Sequence, residues 1–180
     1  GALVPVLSGS ATANLGTKEL LEYASAYLPS PRDIDPVEAV KSGTTSKETI
    51  LPDPNGPLAA FVFKTLADPF VGKLSIFRVY RGTFRSNVEI WNETKGQSER
   101  VGLIYLLRGK NQEQVQEIGP GDIGAVSKLA VTVTNDSLCA KDNGVSFSQI
   151  DFPVGYYSSS VFPKTKADAP HSRPNSSNRT

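Results

Sequence analysis

Leu74-Ser75-Ile76-Phe77-Arg78-Val79-Tyr80 decides the fold class. The residues alternate at period two, with Leu74, Ile76 and Arg78 on one side and Phe77 and Val79 on the other, as in a strand with two unlike faces. Gly82 breaks the pattern. Upstream, Leu58 to Leu66 is a continuous apolar, β-prone run. Downstream, Val88-Glu89-Ile90-Trp91 alternates again before the turn chemistry of Asn92 to Gly96. Val101 to Leu107, Val115 to Ile118, Ile123 to Leu129, Ala130 to Val133, Ser137 to Cys139 and Val145 to Ile150 follow as strand candidates, and Arg108 to Gln114 reads as a polar connection. Gly119-Pro120-Gly121-Asp122 reads as a turn and Asp142-Asn143-Gly144 as a hairpin signal. Short strands spaced by about 8–12 residues, with no helical period between them, predict an antiparallel β-barrel over residues 58–150.

The flanks read differently. Val4 to Leu7 is expected to be a buried strand, followed by the polar turn Ser8-Gly9-Ser10. A helix is expected from Thr17, as N-cap, with Glu19 in its first turn, Leu20, Leu21, Ala24 and Leu28 along one face, and Pro29 and Pro31 as its stop. One strand and one helix make no core, so these apolar faces are left exposed or docked on a neighbour. Residues 29–57 hold six prolines and the polar run Ser42 to Ser46, so the stretch 31–57 is read as an extended, partly mobile linker. Past Phe162 the chain turns polar and basic, and 169–180 reads as a disordered tail or appended non-native residues. The absence of methionine suggests an excised piece of a longer protein.

The 180 residues carry 19 basic and 18 acidic side chains, 38% hydrophobic residues and a single cysteine, which exclude a wholly disordered chain and an internal disulfide framework. No apolar run reaches the ~20 residues of a membrane span. Self-sufficient catalysis finds no support. The one histidine, His171, lies in the polar tail; Cys139 reads as a small core residue; Glu113 and Glu117 read as solvated; Gly9 and Gly16 are isolated glycines, not a phosphate-cradling loop. One His and one Cys leave no common zinc pattern. Residues 72–110, however, hold eight basic groups against three acids, a local +5. Such a segment is either a footprint for an anionic partner or a set of solubilising strand edges.

Two sets of motifs occur together and in order. Pro5-Val6-Leu7-Ser8-Gly9-Ser10-Ala11, Asn14-Leu15-Gly16 and Tyr27-Leu28-Pro29-Ser30-Pro31 resemble the last strand and helix of the GTP-binding domain of the elongation factor G family. Asp68-Pro69-Phe70-Val71-Gly72-Lys73-Leu74, Phe77 to Tyr80, Gly82-Thr83, Thr94-Lys95-Gly96, Glu99 to Gly102, Gly121-Asp122-Ile123 and Asp136 to Cys139 resemble its second domain. Phe152-Pro153 and Pro163 to Asp168 resemble the start of domain III.

The resemblance implies a mainly β fragment. Residues 1–30 would be a strand–helix remnant of an α/β GTPase domain, 31–57 a linker, 58–150 an antiparallel β-barrel of the translation-factor domain II type, and 151–168 a truncated domain III. It implies a cytoplasmic translational GTPase acting in ribosomal translocation. GTP and magnesium would be bound by the parent and not by this chain, which would have no catalytic or metal-binding residues. Ser10 and Ala11 would correspond to the loop beside the guanine base. The barrel would bind the ribosome at small-subunit ribosomal RNA, with Lys73, Arg78, Arg81, Arg85, Lys95 and Arg100 as candidates, and couple to its own GTPase domain and domain III. Phe70 and Gly72 read as shaping the turn between the first two strands. Three departures stand out: Asn135-Asp136-Ser137 where the family has Gly-Asp-Thr, the small polar run Gly155 to Ser160, and no helix pattern after Asp168. A ribosomal-protection or elongation-factor-G-like paralogue, and a protein–protein adaptor barrel, stay open as alternatives.

Overall fold

The computed structural model describes residues 4–68, 72–109, 111–157 and 159. The turn residues 69–71 with Phe70, Lys110, the Pro163–Asp168 stretch, His171 and the 169–180 tail lie outside the described residues. In chain order the elements are α1 (Thr17–Tyr27), β1 (Val37–Lys41), β2 (Lys47–Ile50), β3 (Ala59–Asp68), β4 (Gly72–Arg81), β5 (Phe84–Arg85) and β6 (Glu89–Asn92). Then follow β7 (Gln97–Arg100), β8 (Ile104–Arg108), β9 (Asn111–Val115), β10 (Glu117–Ile118), β11 (Ile123–Ser127), β12 (Ser137–Cys139) and β13 (Val145–Phe147). Residues 1–150 form one unit; in the second, 151–180, the described residues adopt neither helix nor strand.

β4 is central, and its alternation does what the sequence indicates. Phe77 and Val79 join the main core with Ala60, Val62, Phe84, Ile90, Ile104, Val126 and Leu138. Leu74 and Ile76 face the other way, against Ala125. All strand pairs are antiparallel, in an eight-stranded sheet of order β7-β6-β12-β3-β4-β11-β8-β9, a three-stranded sheet β13-β1-β2 and the pair β10-β5. One face of the large sheet and the β10-β5 pair converge on a single core. The expected β architecture is present, but β7 and β9 remain the sheet's two edges among the described residues, so no closed hydrogen-bonded ring is seen.

Several expectations are corrected. Val4 to Leu7 forms no strand: Val4 is 80% and Val6 91% exposed, because this chain offers them no neighbouring strand. The helix is capped by Gly16, at φ 75°, and Thr17 is already its first turn. None of its residues is buried, as a lone helix predicts. The stretch read as a linker contains the hairpin β1–β2, whose Ala39 and Ile50 are buried against Ala59, Phe61, Val145 and Phe147. Arg81 fastens it, donating from Nη1 to Glu48 Oε1 at 2.6 Å and from Nε to the Pro57 carbonyl at 3.0 Å. Asp142-Asn143-Gly144 does turn the chain, yet β12 and β13 lie in different sheets; the turn moves the chain between layers instead of closing a hairpin. Ala130 to Val133 is a loop, and the polar stretch after Arg108 is the edge strand β9, held by its register with β8.

The Asn135 departure has a structural use. Its backbone sits at φ 76°, where glycine is ordinarily favoured, and its side-chain amide accepts from Ile150 N at 3.0 Å while donating to Ile150 O at 3.1 Å. Asparagine tolerates this conformation and supplies a two-bond clamp that glycine lacks. Urea unfolding followed by the single Trp91 should therefore rank wild type above Asn135→Gly above Asn135→Ala. The alanine variant should be about 1 kcal/mol below glycine from left-handed backbone strain; equal midpoints for the two variants would contradict this account.

Candidate functional site

The N-terminal loop is built by close backbone approach. Ser10 N and Leu15 N each donate to the other residue's carbonyl at 3.0 Å, and Ala13 N donates to Ser10 Oγ at 3.3 Å. A Cβ at Gly9 would lie 2.6 Å from Leu15 O, and one at Gly16 2.5 Å from Ser8 O, so both positions require glycine. The result is a shallow depression of about 240 Å³ lined by Ser8, Ser10, Ala11, Thr17 and Leu20. Within it the Ser10 backbone is held by Leu15, its hydroxyl by Ala13 N and Thr12 Oγ1, and the Ala11 carbonyl by Asn14 N, so the loop's shape is fixed by its own hydrogen bonds. Phosphates or magnesium need other donors: among the described residues no three His, Cys, Asp or Glu side chains converge on a possible metal position.

The basic candidates separate into different settings. Loop 128–136 gathers one group. Its foundation is Glu99, 8% exposed, which accepts from Val131 N at 2.8 Å, Thr132 N at 3.1 Å and the Thr132 hydroxyl. Asn92 Nδ2 donates to Thr132 Oγ1 and to Asp136 Oδ2, both at 3.0 Å, and Val133 N donates to Asp136 Oδ2 at 2.9 Å. Around this pinned loop, Lys73 Nζ donates to the Ala130 carbonyl at 3.3 Å and Lys95 Nζ stands 3.6 Å from Asp136 Oδ1. Arg100, exposed, follows Glu99 in β7 and so projects from the opposite face of that strand, whereas Lys128, exposed at φ 63°, opens the loop and donates its backbone N–H to Lys73 O. Lys128 lies outside the charge-rich segment and inside the Ile123 to Leu129 strand candidate, so no sequence pattern marks it; the structure ends β11 at Ser127 and starts the loop there.

The other three arginines stand elsewhere. Arg78 is exposed on the outer face of β4, roughly 16 Å along the strand from Lys73. Arg81 is largely buried, its side chain 12% exposed in the pair with Glu48. Arg85 pairs with Glu117 at 3.2 Å. The compositional +5 is therefore not one patch.

Cys139 is fully buried, and burial pushes its thiol from an ordinary 9.0 up to about 11. It stays protonated at neutral pH and makes a poor nucleophile.

Residues 57–141 match the family model described as elongation factor G domain 2. This stretch is an elongation factor G domain 2. The likeness reaches beyond it: the chain is 42% identical over 165 residues to elongation factor G of Thermotoga maritima and of Thermotoga petrophila. Each comparison covers 92% of this chain and 24% of the relative, so the chain spans about a quarter of the length of the curated relatives it matches. No helix among the described residues is long and apolar enough to cross a membrane.

Two outcomes follow for the elongation factor G domain 2 core. Glu99→Gln removes one of two carboxylate oxygens facing three donors and turns an N–H₂ toward them; chemical denaturation should show a loss of about 1–3 kcal/mol, and an unchanged midpoint would refute the anchoring role. Because the folded thiol of Cys139 has the raised pKa, its contribution to stability is fully present below the ordinary value and is lost as pH rises through about 11. A thiol reagent at mildly alkaline pH should accordingly react promptly only after unfolding; prompt reaction in the folded chain would contradict the burial.

Proposed function

We propose that this chain serves as the ribosome-anchoring and interdomain-coupling part of a cytoplasmic translational elongation factor that acts in translocation. Lys73, Lys95, Arg100 and Lys128 are assigned to phosphates of small-subunit ribosomal RNA. The observation that carries this is the tethering of Lys73 and Lys95 to one pinned loop that begins at Lys128, in a stretch that matches elongation factor G domain 2; Arg100 is included as an exposed cation on the neighbouring strand β7. Cations held at phosphates give affinity that falls with salt and fix orientation without reading sequence. Arg81, its side chain largely buried in the pair with Glu48, takes no part in this contact, and Arg78 and Arg85 stand apart from the loop.

The whole factor is proposed to bind GTP and magnesium and to hydrolyse GTP. This chain contributes only the Ser10–Ala11 loop beside the guanine, and no catalysis. Its GTPase domain and domain III are the proposed intramolecular partners, with the exposed apolar face of α1, including Leu20 and Leu21, turned toward the former.

Co-sedimentation with purified small ribosomal subunits at about 50 and about 200 mM salt tests the anchor. Binding is expected at low salt and should fall steeply at high salt. Changing Lys73, Arg100 and Lys128 to alanine should each flatten the log–log salt slope by about 0.9 per duplex phosphate lost, while Arg85→Ala leaves it unchanged. Absence of binding at both salts would overturn the RNA anchor and leave the coupling role alone.

A further inference from the structure

A groove of about 450 Å³ runs along the outer face of β3, β4 and β11, beside the β13–β1 ladder. Phe61, Phe63, Tyr80, Ile123 and Phe147 line it together with Arg78. The register between β3 and β4 passes over Phe63 and Tyr80, one at each irregularity of the ladder. A bulged residue leaves the ladder and its side chain is re-aimed, so these two rings are set by the strands' own irregularities. Tyr80 and Phe147 pack with centroids 4.8 Å apart, and Phe61 meets Phe147 edge-on at 6.0 Å, which makes one wall pre-formed. The volume lies within the roughly 300–1,000 Å³ of ligand-sized sites.

Charge narrows the occupant. Glu38 also lines the groove, but Lys47 Nζ holds it at 2.6 Å. The Arg78 side chain, by contrast, makes no hydrogen bond or ion pair among the described residues. The groove therefore presents apolar rings and one uncompensated cation. A nucleic-acid strand brings a phosphate with every residue and would set most of them against rings and Glu38. An occupant with apolar bulk and a single negative charge matches instead. We propose that this groove binds a short extended segment of a partner protein, carrying two bulky apolar side chains around one carboxylate, with that carboxylate paired to Arg78.

Nuclear magnetic resonance titration of the 180-residue chain tests this with acetyl-Phe-Glu-Leu-amide, its Gln counterpart and single-stranded oligouridylate. The Glu peptide should give saturable shifts at Phe63, Ile123 and Phe147, and the Gln peptide should bind about threefold to fivefold more weakly. Arg78→Gln should abolish that preference while leaving apolar binding, and Arg78→Lys should retain it. The proposal is overturned if neither peptide moves the groove residues, if both bind equally to the wild-type chain, or if oligouridylate shifts the groove in their place.

Discussion

Glu99 has exchanged water for three donors on a single loop, and much of the molecule's useful surface depends on that exchange. A buried carboxylate is tolerated only where its lone pairs are met by protein donors. Val131 and Thr132 supply them, and Asn92 and Asp136 complete the network from neighbouring positions. Loop 128–136 is thereby fixed without being a strand. Lys73 and Lys95 are tethered to it, Lys128 projects from its beginning, and Asn135 reaches from its end to Ile150. One satisfied buried charge thus orients four otherwise floppy parts.

The sheet itself was legible wherever one face is dry. Phe77 and Val79 on one side, with Leu74 and Ile76 on the other, declared β4, because apolar residues repeating at period two are the imprint of packing against the faces of a strand. β9 left no such imprint: Asn111 to Gln114 is exposed, and its strand state is imposed by the backbone of β8. The hairpin β1–β2 was hidden for a related reason, since its few buried residues, Ala39 and Ile50, lie among prolines and a polar turn whose composition is that of a linker. Val4 to Leu7 misled in the opposite sense. An apolar run specifies a strand only if another strand is there to receive it.

The candidate site was less legible. Counting charge along the chain treats Arg78, Arg81 and Lys73 as neighbours, whereas strand geometry carries them to an outer groove, a buried pair with Glu48 and the pinned loop. The residues that organise that loop, Asn92, Glu99, Thr132 and Asp136, are dispersed over some forty positions and bear no local signature. Asn135 was visible as a departure, but its purpose needed the position of Ile150.

The strand order holds a consequence for how the molecule is made. β12, residues 137–139, is wedged between β3 and β6, pairing with both. Everything from residue 59 to 100 can be synthesised, and β3–β4 and β6–β7 can each zip locally, yet the two halves have no common ladder until β12 arrives. Closing a sheet through so late a strand demands large loops and slows the search. During synthesis the facing edges of β3 and β6 stand bare, and unpaired edges invite association with foreign strands. The closing stretch of this unit, from β12 onward, is thus a kinetic keystone, and an interval of vulnerability precedes it on every chain.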